Sequence, residues 1–156
     1  MSDPPPNRSI PPPGARTLSI VVVNERREIP RIGERLEEFG KACGLAPDDV
    51  ASVNLAIDEL VSNVINYAFD DGKVHQIQLT VTVEGDLLTL SIDDEGKAFN
   101  PLEVPMPDLD QPIEQRPVGG LGIFLVKSIA DTLAYRREDG HNILTLTRTL
   151  SPRPTS

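Results

Sequence analysis

The chain has 156 residues, 38% of them apolar, which is enough for one domain with a real hydrophobic core. It has no Trp, so that core must be built from Val, Ile, Leu and Ala, and its net charge of −9 argues against phosphate-backbone binding to DNA or RNA. A single cysteine, Cys43, excludes an internal disulfide, His75 and His141 carry no metal-ligand spacing, and no apolar run approaches the ~18 residues of a membrane span. These features predict a soluble, cytoplasmic protein with no signal peptide.

Residues 1–14, MSDPPPNRSIPPPG, hold six prolines and almost nothing to bury, and are expected to form a disordered or polyproline-like tail. The last six residues, 151–156 (SPRPTS), read the same way, leaving one unit from 15 to 150. Its first element is TLSIVVVN (17–24), short and β-branched, a strand. Pro30 then opens a helix with Ile32, Leu36, Phe39 and Cys43 on one face and Gly44 as its C-cap. A second helix follows, with an apolar stripe at Val50, Val53, Ile57, Leu60, Val61, Val64 and Ala68. Asp48 or Asp49 is its expected N-cap, and Gly72 lies past its end.

In VHQIQLTVTVEGDLLTLSIDDEG, Ile77, Leu79, Val81 and Val83 alternate with polar residues, predicting a half-buried strand. Glu84-Gly85-Asp86 makes the turn, and Leu88, Leu90 and Ile92 carry the return strand. Residues 97–118 contain five prolines and no periodicity, the pattern of a long functional or mobile loop. A helix over 122–131, a strand over 132–137, an Asp139-Gly140 turn and a last strand over 142–150 complete the chain. The order predicts an α+β, two-layer sandwich: a mixed, largely antiparallel sheet covered on one face by helices.

Three constellations stand out. Glu59 and Asn63, four residues apart on the second helix, share a face, and Asn66 falls nearly in line at seven. The strip is either an ordinary solvated face or a carboxylate and an amide oxygen turned toward one cavity. There they could take a proton and ligate a hard cation such as Mg²⁺. Asp93-Asp94-Glu95-Gly96 ends a strand. It is common turn chemistry, or it places Asp94 to accept a hydrogen bond from a ligand amino group, with Gly96 and Ala98 small enough to admit a flat ring. Gly119, Gly120 and Gly122 precede an apolar helix. They either form a tight turn or let phosphate oxygens reach the unpaired N–H groups of a helix start. Neither a Walker sequence nor a dinucleotide fingerprint occurs anywhere in the chain.

In combination, the order E-x-x-x-N, D-x-G-x-A, Pro-rich loop and G-x-G resembles the GHKL superfamily of ATP-binding domains. LAIDELVSNVINYAF, DDEGKAFNPL and GGLGIFLVKSIADTLAY look most like the stand-alone bacterial anti-sigma-factor serine/threonine kinases. The resemblance implies the GHKL (Bergerat) fold and use of ATP and Mg²⁺. Carried over by position, Glu59 would be the general base and Asn63 the Mg²⁺ ligand, with Asn66 and Tyr67 beside the phosphates. Asp94, Gly96 and Ala98 would line the adenine pocket, and Gly120 and Gly122 would give backbone N–H groups to the phosphates, with Gly119 and Leu121 shaping the turn. Thr145 or Thr147 would support the adenine side, and Arg116 would reach from the loop toward the terminal phosphate. Tyr67 departs from the His that related kinases often carry, and Ala98 replaces a common second glycine. The family implies a STAS-domain anti-anti-sigma protein as substrate, a sigma factor as alternate partner, and frequent homodimerisation. A non-catalytic, nucleotide-dependent binding module is the competing expectation.

Overall fold

The computed structural model describes residues 14–103 and 120–152. The expected proline-rich tail, most of the 97–118 loop, the end of the C-terminal tail, Arg116 and Gly119 lie outside the described residues. The described residues form five strands, β1 (Arg16–Val23), β2 (Gln76–Glu84), β3 (Leu87–Asp94), β4 (Thr132–Glu138) and β5 (His141–Thr149), and three α-helices, α1 (Ile29–Cys43), α2 (Pro47–Asn63) and α3 (Gly120–Ile129).

The sheet runs β1-β2-β3-β5-β4, and every pairing is antiparallel. Strict alternation decides which side each residue takes. Leu79, Val81, Leu88, Leu90, Ile92 and Leu146 are fully buried beneath the helices, meeting Ile32, Leu36, Ile57, Leu60, Ile123 and Val126. The opposite face is polar, and its register puts Thr17, Thr82, Thr89, Thr147 and Thr132 in one row across all five strands. Ser19, Thr80, Ser91 and Thr145 form the neighbouring row.

Local chemistry sets the element ends. Gly44 closes α1 in the left-handed region at φ 68°, and Gly85 turns the β2–β3 hairpin at φ 59°. Asp139 and Gly140 both take positive φ in the β4–β5 turn, the conformation that suits a two-residue hairpin. The start of α2 differs from expectation. Pro47 occupies its first turn, and extended Ala46 (ψ 137°) is the N-cap, because the residue before a proline is driven out of the helical region. Neither Asp48 nor Asp49 caps the helix. Asp49 is 1% exposed, accepts hydrogen bonds from Arg148 Nε and Nη2 at 3.2 and 3.1 Å, and takes the backbone N–H of Ser151 at 2.8 Å. Arg148 also donates to the Ile129 carbonyl at 2.8 Å. This one cluster ties the start of α2, the end of α3 and the end of β5 together.

Candidate functional site

Between α2 and the inner face of β3 and β5 lies a cavity lined by Leu60, Asn63, Asp94, Phe99, Tyr135 and Asn142, among others. Three buried polar residues converge on it: Asn63 (6% exposed) from the last turn of α2, Asp94 (3%) from the end of β3, and Asn142 (5%) from the start of β5. Buried polar groups on three separate elements are costly unless they bond one another or a ligand. Asn142 and Asp94 bond one another. Their strands put them directly opposite in register, and Asn142 Nδ2 donates to Asp94 Oδ1 at 2.9 Å.

The Gly96 backbone N–H also donates to Asp94 Oδ1, at 2.9 Å. Burial pushes the Asp94 carboxyl above its ordinary range; these two donors pull it back, the negative charge of Asp93 adds to the rise, and Arg137 opposes it. Gly96 must be glycine here. A Cβ would lie 2.5 Å from the Ala68 carbonyl oxygen and 2.9 Å from Asp94 Oδ1. Ala98 is exposed and does not line the cavity, whereas its neighbour Phe99 does, and it stacks on Tyr67 with ring centroids 5.3 Å apart.

Glu59 lies one turn before Asn63 on α2, and α3 packs beside it. Gly122 allows that approach, since a Cβ there would stand 2.1 Å from Glu59 Oε2. Gly120 and Leu121 form the first turn of α3. The glycine-led start of α3 and the Glu59 carboxylate of α2 are thus brought to one place although β2 and β3 lie between them in the sequence.

Like Ala98, Asn66, Thr145 and Thr147 stand elsewhere. Asn66 does not continue the Glu59–Asn63 strip. Residues 64–68 form a π-helical turn, whose wider i→i+5 spacing sets them back relative to a 3.6-residue count. Asn66 is exposed and accepts a hydrogen bond from Arg26 Nη2 at 2.9 Å. Thr145 belongs to the outer polar face, opposite Ser91 and Ala134, with the sheet between it and the cavity, and Thr147 bonds Thr132 on that same face. The polar residue that β5 turns into the cavity is Asn142. Its pairing with Asp94 spans 48 positions, and the only signal for it in the sequence is its alternation phase with Leu144 and Leu146.

Residues 22–148 match the model of the family described as the histidine kinase-like ATPase domain. The chain belongs to the histidine kinase-like ATPase domain family. Its similarity to the Bordetella bronchiseptica serine/threonine-protein kinase BtrW is 33% identity over 101 residues, 65% of this chain and 71% of that protein. The Bacillus mycoides serine-protein kinase RsbW is 28% identical over 105 residues. That match takes in 65% of each chain, just under two thirds of the Bacillus protein. The solved RsbU and RsbW domains of a Mycobacterium tuberculosis protein superpose with a TM-score of 0.63 at 19% identity, over 89% of this chain and 33% of that one. This last likeness shows the shared fold. As an ATPase-type domain the chain is a nucleotide-using one, and among the described residues no helix is long and apolar enough to cross a membrane.

Proposed function

We propose that this protein is an ATP-dependent serine/threonine protein kinase and anti-sigma factor that phosphorylates a STAS-type anti-anti-sigma protein in a partner-switching system. The observation that carries the catalytic part is the placement of the Glu59 carboxylate against Gly122 at the start of α3, one turn from Asn63 and its cavity. The relatives named as serine/threonine kinases support the reaction class.

The adenine would enter the cavity beside Asp94, whose Oδ1 already takes two N–H donors while Oδ2 is left to receive the exocyclic amino group. The triphosphate would run toward the first turn of α3, Gly120, Leu121 and Gly122, because the backbone N–H groups of a helix start favour negative charge. Glu59 would take the proton from the accepting Ser or Thr hydroxyl as its oxygen attacks the γ-phosphorus in line. The bond to the β-phosphate oxygen breaks, and ADP leaves with that electron pair.

The residues present fit Mg²⁺. Among the described residues no group of three His, Cys, Asp or Glu could hold a metal alone, and a magnesium ion held chiefly by phosphates needs only one or two protein oxygens. Asn63 would supply that oxygen, and the ion, when bound, neutralises charge on the phosphates. A sigma factor is the alternate partner in this reading, and the acidic balance of the chain, −9, suits a basic partner surface.

The test uses γ-labelled ATP and Mg²⁺ in an extract of the host cell, with wild type and Glu59→Ala side by side and nucleotide binding measured for both. A small protein labelled on Ser or Thr only by the wild type is the expected result. Binding without label above the variant would sink the kinase and leave a nucleotide-gated binding module.

A further inference from the structure

Asn142 is the most heavily bonded side chain near the cavity. Its Oδ1 accepts from three donors: the Phe99 backbone N–H at 3.3 Å, Tyr135 Oη at 2.5 Å and Arg137 Nη1 at 3.1 Å. Its Nδ2 donates to Asp94 Oδ1 and to the Lys97 carbonyl, both at 2.9 Å. An amide turned over would set two N–H donors against Arg137 and the Phe99 N–H, and an oxygen against two acceptors. Only one orientation is compatible with these neighbours. Arg137 extends the same latch, donating to the Gly96 carbonyl at 2.6 Å. The strand end and the glycine-bearing loop that follows it are therefore held from one point on β5.

Resting on the nucleotide reading above, we infer that Asn142, fixed by Tyr135 and Arg137, is the positioning residue that sets base specificity. Its locked N–H occupies Asp94 Oδ1, so that the remaining oxygen, Oδ2, is offered to the ligand as an acceptor in one fixed direction. A purine with an amino group at its 6-position satisfies that acceptor. A 6-oxo purine presents an oxygen there and is rejected, because two acceptors meet in a buried site. Without Asn142 the carboxylate loses a partner and can rotate about its last bond, and the discrimination relaxes.

The experiment is calorimetric titration with ATP and with inosine triphosphate, both with Mg²⁺, on the full chain and on Asn142→Leu. Inosine triphosphate differs only at the 6-position and the adjoining ring nitrogen. The ratio of the two affinities is the readout, since a general loosening of the fold lowers both together. Wild type is expected to favour ATP, and Asn142→Leu to lose about tenfold or more of that preference, the scale of one hydrogen bond to a charged group. Arg137→Met, which removes one anchor from an exposed residue, serves if Asn142→Leu does not fold, and should shift the ratio in the same direction. An unchanged ratio in a folded variant that still binds ATP overturns the inference and leaves the kinase reading standing. Absence of any nucleotide binding by wild type overturns both.

Discussion

Gly122 on α3 and Glu59 on α2 are in such close contact that a Cβ on the glycine would sit 2.1 Å from a carboxylate oxygen and 3.0 Å from its carbon. The atoms in the way are the far end of a flexible side chain, not backbone. Gly122→Ala should therefore fold, and the gain in helix propensity offsets the cost of turning Glu59 aside, leaving stability within about 1 kcal/mol of wild type. The carboxylate cannot keep its place, however, and a displacement of about 1 Å at a reacting group costs on the order of a hundredfold in rate. Thermal denaturation beside a phosphotransfer assay checks this, and a fully active Gly122→Ala would remove Glu59 from the chemistry.

Gly96 is the opposite case. Its Cβ would collide with the Ala68 carbonyl oxygen, at 2.5 Å, as well as with Asp94 Oδ1. Backbone cannot swing away, so Gly96→Ala should lower both stability, by roughly 1–3 kcal/mol, and nucleotide affinity. Chemical denaturation and nucleotide titration on the same preparation would show the two losses together. A stable variant with normal affinity would mean that this loop is free to move.

Asp94 makes a pH prediction whose sign runs against the usual carboxylate. Burial raises its folded pKa above the ordinary value near 3.8. Between those two values the native state holds more protons than the unfolded chain, so stability falls as pH rises through that window and stays lowered above it. Asp94→Asn escapes this penalty, and its amide oxygen can still accept from Gly96 and Asn142. At pH 7 the variant should melt at or above the wild-type temperature, and its advantage should shrink as pH is lowered through that window toward the ordinary carboxylate value. Its new N–H₂ would oppose an incoming amino group, so ATP binding should weaken at least tenfold. A melting difference that ignores pH would show that burial is not what raises the group.

How far the sequence disclosed this site follows from the kind of interaction involved. The strands declared themselves through alternation, as Ile77, Leu79, Val81 and Val83 show, and Gly85 and Asp139-Gly140 marked their turns by taking positive φ. Glu59 and Asn63 were legible because helix geometry relates residues four apart. Asn66 was misplaced because one π-helical turn, which leaves no pattern in the residue types, changes the count. Thr145 and Thr147 came to the adenine side through the family resemblance alone, although the alternation of Leu144 and Leu146 gives those two the inward side. The two inward polar residues of β5 are Asn142 and Arg148, at its ends, and each answers a buried carboxylate far away in the chain. Nothing local to β5 announces such pairs.

Arg148 and Asp49 supply the last prediction. Asp49 is 1% exposed, and its carboxylate is satisfied by Arg148 and the Ser151 N–H. Replacing a whole buried ion pair by apolar residues is often tolerated, but removing one partner strands the other charge at a cost of about 3–5 kcal/mol. Arg148→Met should show that loss in chemical denaturation, and it also frees the Ile129 carbonyl at the end of α3. The double variant Asp49→Leu, Arg148→Met should recover part of the stability, because no unpaired charge remains. If the single substitution costs under about 1 kcal/mol, comparable to an exposed pair, the cluster is a surface contact and not the anchor of α3.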